Sequence, residues 1–306
     1  MTSTHSRLSS LVSNKIDSFQ EYNDYSVMVG LAPSTGARSP MLWNSLLANS
    51  SRMICLDIPD SRDLSTVFSI LQEDRRCLGG SVTAPYKGDF FNLCSEVTAI
   101  SKSTGVCNNF FRSDVNGLFI ADNTDSTGFK EALTSKVSHA HFDCVVILGS
   151  GGVAKAVAAA VRDLFPKHIP RYILSRRSNS SSLSGILPIT YSWFLNTFKF
   201  HASSKVLLIN CTSVGDYSNL ENDPLVSIPY IREILDLLAV SYCFDCIHTP
   251  SPPRLASFYH PYSQDGMEMN LLQAAIAFRN VYPSYEPSDV LKHLRHFSAQ
   301  SIGVLR

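Results

Sequence analysis

The stretch FDCVVILGSGGVAKAVAAAVRDLF, residues 142–165, decides the fold. It opens with an unbroken, β-branched apolar run, the composition of a strand buried on both faces. Glycines follow at 149, 151 and 152, and then alanines and valines suited to a helix. The pattern G-x-G-x-x-A over 149–154, set between a strand and a helix, is the context a dinucleotide-binding turn requires. Gly149 permits the tight turn, Gly151 lets the backbone approach a pyrophosphate at the helix N-terminus, and Ala154 keeps the helix close to the sheet. The backbone of Gly149, Ser150, Gly151, Gly152 and Val153 is therefore the expected phosphate cradle. A glycine-rich turn that binds nothing is the alternative.

The next apolar run, RYILSRRS (171–178), bears on which dinucleotide. An acidic residue at the end of this strand would take a ribose 2′-hydroxyl. Here the end reads Ser175-Arg176-Arg177, with no acid. Two planar, permanently charged guanidiniums suit a 2′-phosphate, so NADP is the expected cofactor. A basic surface loop is the plainer reading.

Farther out, KVLLINCTSVGD (205–216) and VSYCFDCI (240–247) supply two more buried-strand candidates. Strands alternating with helices imply a parallel sheet covered on both faces. Upstream, YSVMVGL (25–31), SRMICLDI (51–58) and LGGSVTA (78–84) read as strands. Helices are expected over 40–50, opening at Ser39-Pro40, and over 61–73 and 88–101. Residues 106–123 read as a hairpin turning at Asn116-Gly117. Helical patterns over 266–282 and about 287–298 close the chain. The Ser-rich stretch 179–185 reads as a loop or helix start.

A chain of 306 residues favours two domains. With 44% hydrophobic and 17% charged residues it suits a packed globule. Lys+Arg and Asp+Glu both total 26, so no global field favours nucleic acid or an anionic membrane. No apolar run reaches the roughly 18 residues of a membrane span, and the Ser-rich N-terminus lacks a secretory core, so a cytoplasmic location is expected. Cys243 and Cys246 form a single C-x-x-C without a second pair or spaced histidines. Plain strand packing is expected there rather than zinc or a thioredoxin-like redox pair. His293 and His296 lie one helical turn apart with no third ligand nearby, so no metal is expected.

Five blocks in order, VTAPYK (82–87), NTDSTG (123–128), GSGGVA (149–154), NCTSVG (210–215) and GMEMNLLQ (266–273), resemble those of the shikimate dehydrogenase family. The resemblance runs from about 25 to 282. It implies an α/β protein of two domains: an N-terminal α/β substrate-binding domain over 25–127 and 266–306, and a Rossmann NADP-binding domain over 128–265. A polar extension, 1–24, precedes them, and the C-terminal helices pack back on the first domain. The implied activity is oxidoreduction at a CH–OH group, the reversible reduction of 3-dehydroshikimate to shikimate in aromatic amino acid biosynthesis. Lys87 and Asp125 would face each other in an interdomain cleft and relay the hydroxyl proton. Thr83, Asn108 and Gln273 match positions that bond the substrate's hydroxyls, and Ser39 matches one of two serines that hold its carboxylate. Thr212, Ser213 and Val214 match the cofactor loop and Gly266 the glycine near the nicotinamide. Taken singly, such residues are ordinary caps and turns.

The departures bear on substrate. Ala37 stands where the family has its first carboxylate-binding serine, in a segment one residue longer than usual, with Ser34 or Thr35 as candidate replacements. Loss of one hydrogen bond to a charged group costs roughly 1.5–3 kcal/mol. His248 stands for a tyrosine near the substrate, Cys246 for a methionine beside the nicotinamide, Asn109 for a threonine and Ser81 for an asparagine. Quinate or an amino-analogue thus remains open as substrate, as does an idle relative that binds nucleotide or ring acid as a regulatory module. A folate-type dehydrogenase ranks last, because it leaves the N-T-D-x-x-G block and the final glutamine without a role. Monomer and homodimer are both open.

Overall fold

The computed structural model describes residues 3–16, 21–138, 141–177, 185–198, 204–215, 223–238, 240–248 and 254–304. The Ser-rich stretch 179–185 falls outside them except for Gly185. The chain divides into two compact units, Met1–Thr124 with Leu271–Arg306, and Asp125–Asn270.

The first unit is built on strands β1 (Asp24–Gly30), β2 (Ser51–Asp57), β3 (Cys77–Val82), β4 (Glu96–Val97), β5 (Asn109–Arg112) and β6 (Phe119–Asp122), in the order β2-β1-β3-β5-β6-β4. β1, in the interior, is parallel to both neighbours and buries every residue from Tyr25 to Gly30. Tyr25, Val27 and Val29 join Leu56, Val67, Leu71, Phe90, Phe110 and Phe119 in one core. β2 leaves an open edge, and two asparagine amides close it. Asn44 bonds the Met53 amide and carbonyl at 2.7 and 3.1 Å, and Asn14 bonds the Asp57 amide and the Cys55 carbonyl at 2.8 and 3.0 Å. Each side chain imitates a neighbouring strand and satisfies groups that would otherwise invite another chain. This demand also ends the helix expected over 40–50 early, at Ser39–Asn44. The N-terminal segment adds a short helix, Thr4–Ser9, whose Leu8 is fully buried in the same core.

The helix expected over 88–101 is two helices, Lys87–Leu93 and Ala99–Thr104, interrupted by β4. Pairing of β4 with β6 takes precedence over local propensity, and the Thr98 hydroxyl caps the second helix by accepting from the Ser101 amide. The hairpin β5–β6 is present, closed by a longer loop in which the Ser113 amide bonds Leu118 and the Gly117 amide bonds Ser113. The Gln72 amide and the Arg75 and Arg112 guanidiniums all converge on the Gly117 carbonyl and hold that loop open.

The second unit carries β7 (Cys144–Leu148), β8 (Arg171–Ser175), β9 (Pro188–Thr190), β10 (Val206–Asn210), β11 (Val240–Asp245) and β12 (Ser263–Gln264), in the order β12-β11-β10-β7-β8-β9. Every pair is parallel. From β7 the chain winds one way through β9 and then the other way from β10, so the order reverses between β7 and β10, where doubly wound sheets bind ligands. The α/β class and the Rossmann order agree with the sequence expectation. The C-terminal helices, from Leu271 on, belong to the first unit: the Trp43 indole donates to the Ala274 carbonyl at 3.2 Å, and Arg38 donates to the Ser298 hydroxyl at 2.8 Å. No helix among the described residues is long and apolar enough to cross a membrane.

Candidate active site

In the first unit, β3 delivers Thr83 to a turn in which the Thr83 amide bonds Val29 and the Tyr86 amide bonds Thr83. Thr83 fits because Gly30 has no side chain: a Cβ there would lie 2.4 Å from the threonine methyl. The buried Tyr86 anchors the turn by donating its hydroxyl to the Ile58 carbonyl at 2.6 Å. Lys87 follows as the first residue of a helix, half-buried, its carbonyl bonded by the Cys107 amide. Lys87 is therefore held by a turn and a helix start.

Asn108, one residue before β5, is 4% exposed. Its carbonyl oxygen accepts from the Thr124 amide at 2.8 Å, and its amide donates to the Thr124 hydroxyl at 3.0 Å and to Gln273 Oε1 at 3.3 Å. Thr124 also donates to Gln273 Oε1 at 3.4 Å. Three sequence blocks thus supply one hydrogen-bonded group, in which two of the residues were expected and Thr124 was not. The buried Asp125 follows Thr124 directly and lies in the first turn of Thr124–Thr134, where a carboxylate suits the helix dipole. Asn109 points elsewhere: it donates to the Gly80 carbonyl and accepts from Asn280, which also bonds Asp122. It ties the helix Met267–Val281 to the sheet.

Ser39, 7% exposed, begins the helix Ser39–Asn44. Neither candidate replacement for the hydroxyl missing at Ala37 is available. Ser34 is committed to Asp57 through both its amide and its hydroxyl, and the Thr35 hydroxyl bonds the Ala32 carbonyl at 2.9 Å. The longer loop spends one of these hydroxyls on β2 and the other on its own turn.

In the second unit the glycine turn follows β7. Gly149 has φ +97°, which only glycine adopts without strain, and a Cβ there would meet the Cys211 carbonyl at 3.0 Å. Gly151 caps the helix Gly152–Leu164 without any side-chain bond, and a Cβ on it would meet nothing within 4 Å. A helix N-terminus with no capping side chain and open space above it fits the pyrophosphate of a dinucleotide. Ser150, Gly152 and Val153 are half-buried around it, and Ala154 is fully buried against the sheet. At the end of β8, Ser175 is buried with its hydroxyl bonded to the Arg177 carbonyl, which leaves Arg176 and Arg177 exposed.

The loops after β10 and β11 share a brace that no motif announced. Asn210 accepts from the Thr212 amide at 3.1 Å and hydroxyl at 2.8 Å, and donates to Asp245 at 2.9 Å. Asp245 in turn accepts from the Ile247 amide at 3.2 Å. Burial pushes the Asp245 carboxyl up to about 7, against the lowering effect of these donors. Ser213 is exposed, Val214 and His248 are half-buried, and Cys246 lies with its sulfur 3.7 Å from that of Cys211. A Cβ on Gly266 would lie 2.2 Å from the Cys246 carbonyl, so glycine alone allows this approach. Among the described residues no group of three or more His, Cys, Asp or Glu could hold a metal ion.

No family model matches the chain. A shikimate dehydrogenase (NADP(+)) of Helicobacter hepaticus is 32% identical over 205 residues, 65% of this chain and 70% of the relative. One from a Nostoc species is 26% identical over 277 residues, 85% and 92% of the two chains. In structure, a chorismate mutase/shikimate 5-dehydrogenase fusion protein from Clostridium acetobutylicum superposes with a TM-score of 0.74 at 21% identity, covering 92% of this chain and 99% of the other. The structural likeness carries the two-unit architecture and the 32% identity carries the lineage: the chain belongs to the shikimate dehydrogenase family.

Proposed function

We propose that the protein is an NADP-dependent dehydrogenase that interconverts shikimate, or a closely related ring acid, with its ketone. The first unit would bind the acid and the second the cofactor. The hydrogen-bonded group of Asn108, Thr124 and Gln273 carries this reading, because it gathers hydroxyl-bonding side chains from three separated blocks beside the backbone of Asp125. Thr83, Asn108 and Gln273 would hold the ring hydroxyls, Ser39 the carboxylate, and His248 would bond from the loop after β11. Lys87 and Asp125 would share the proton of the reacting hydroxyl, an ammonium and a carboxylate between them able to hold and pass it.

NADP, when bound, supplies the hydride acceptor. The glycine turn over 149–153 would take its pyrophosphate and Arg176 and Arg177, beside Ser175, its 2′-phosphate. The loop 212–214, Cys246 and Gly266 would border its nicotinamide. A cytoplasmic site of action is part of the proposal. Formation of NADPH is the test, followed by absorbance with shikimate, quinate and their amino-analogues. Oxidation of at least one acid is expected, and no oxidation of any at high protein concentration would overturn the reading in favour of a binding module.

A further inference from the structure

Two thiols at the cofactor end of the second sheet, Cys211 and Cys246, take no proton or hydride in the reading above, and their arrangement differs from what C-x-x-C spacing implies. Cys243 and Cys246 are three residues apart and do not meet: Cys243 is fully buried in the core cluster, whereas Cys246 is half-buried just beyond the strand end. The partner of Cys246 is Cys211, on the adjacent parallel strand's exit and 35 residues away, with sulfur 3.7 Å from sulfur. The Cys246 amide bonds the Asn210 carbonyl at 2.9 Å, so the backbones are fixed in the register that faces these two thiols.

We propose that Cys211 and Cys246 are a redox modification site, converted by hydrogen peroxide into a disulfide that lowers the affinity of the second unit for NADPH. The effect on NADPH rests on the cofactor reading above. One of the two sulfurs, as its thiolate, attacks the peroxide: an S–O bond forms, the O–O bond breaks and, with a proton, one water leaves. The other sulfur then attacks it, the S–S bond forms, the S–O bond breaks and a second water leaves. The two thiols lose two protons and two electrons, and the peroxide is reduced to two waters. A dithiol reductant reverses the change by exchange.

Proximity, not acidity, makes the pair selective. Burial pushes the thiols of Cys55, Cys77, Cys94, Cys107, Cys144 and Cys243 up, and the hydrogen bond with Cys211 together with burial does the same for Cys246. A sulfenic acid formed on either Cys211 or Cys246 has its resolving thiol already in contact. Closure must bring the sulfurs from 3.7 Å to about 2.05 Å. The backbones on either side have little room to yield. The Cys211 carbonyl already lies 3.0 Å from where a Cβ on Gly149 would sit, and that of Cys246 2.2 Å from the same point on Gly266. The displacement therefore passes into the loops that follow, Thr212 to Val214 and Ile247 to His248, which the Asn210–Asp245 brace holds in the reduced protein.

The experiment treats the full-length chain with hydrogen peroxide, digests it without reductant and maps cross-linked peptides by mass spectrometry, while NADPH affinity is read by nucleotide fluorescence. A Cys211–Cys246 peptide lighter by two hydrogens, an NADPH Kd raised at least tenfold and recovery of both by dithiothreitol are expected. Absence of that peptide in protein whose thiols have been oxidised overturns the site. Its presence with an affinity changed less than twofold overturns the effect on cofactor. Cys211→Ser and Cys211→Ala, each compared with its own untreated form, are expected to hold their affinity through peroxide; a wild-type loss in either would overturn the assignment to this pair. If the reduced chain binds no NADPH, the cofactor reading and the effect on cofactor fail together, and the peptide map still decides the site.

Discussion

The ends of the two sheets offer different materials for recognition. Beyond β3 and β5, side chains do the work: Asn108, Thr124 and Gln273 bond one another, and Thr83 occupies the space that Gly30 leaves. Beyond β7, β10 and β11 the backbone does it, through an uncapped helix, a glycine at φ +97° and a carbonyl packed where Gly266 has no Cβ. A site of side chains depends on residue identity, so a single exchange can redirect it. A site of backbone depends on the absence of bulk and less on the identity of side chains. The second end therefore speaks for the cofactor class, and the first for the substrate.

The largest effect that separates the two ends is at Lys87. Lys87→Ala is expected to lower turnover on the order of 10⁴-fold, the upper end of general acid–base contributions, and to leave NADPH affinity unchanged. Turnover within tenfold of the parent would break the assignment of proton transfer to the first end. A loss of NADPH affinity of the same size would break the division itself.

The next effect belongs to the brace between the loops. The Asp245 carboxyl is held up to about 7 in the folded chain and has its ordinary value near 4 when unfolded. Between those values the unfolded chain has released its proton while the folded chain keeps it, so stability is full below about pH 4 and falls as pH rises to about 7. The loss is on the order of 4 kcal/mol, because the cost is that of charging a carboxyl away from water. Asp245→Asn has nothing to titrate, and its melting temperature is expected to lack this component between pH 4 and 7. Parallel curves for parent and variant would show that the carboxyl titrates normally.

A smaller effect, roughly 10–100-fold, is expected at the exposed pair after β8. Replacing Arg176 and Arg177 with alanine would raise the KM for NADPH by that factor and leave the KM for NADH within twofold. Equal losses for the two nucleotides would make the pair a general basic surface and remove the specificity argued for the second end.

Much of this was legible in the chain because it rests on local rules. Glycine spacing between a strand and a helix is readable, as is the missing acid after β8, and the alternation of apolar runs gave the parallel sheet. What was hidden depends on long-range pairing. β4 interrupts a helical pattern only because β6 is beside it, and the helix after Ser39 stops early only because Asn44 turns to the open edge of β2. Thr124 was passed over although it sits inside a recognised block, since nothing local says that a threonine will meet an asparagine and a glutamine from distant segments. The thiol pair was masked by a nearer one: spacing drew attention to Cys243, while register placed Cys211 beside Cys246.

The smallest effect tests the comparison where it is most sensitive, in the loop that holds Ser39. Ala37 is half-buried with extended backbone at the end of the turn Pro33–Gly36, and Ser34 and Thr35 have spent their hydroxyls on Asp57 and Ala32. A carboxylate held here thus has one hydroxyl fewer than in the family pattern, and restoring it needs no backbone change because serine adopts the same extended conformation. Ala37→Ser is expected to lower the KM for shikimate about tenfold, the value of one hydrogen bond to a charged group, with kcat within twofold. The same improvement for all acids tested would mean that position 37 contributes general affinity. An improvement confined to shikimate would mean that the native alanine selects against it, and that the preferred acid presents its carboxylate differently. No change for any acid would place the carboxylate away from this turn, and with it would fall the argument that the end of the first sheet chooses the substrate.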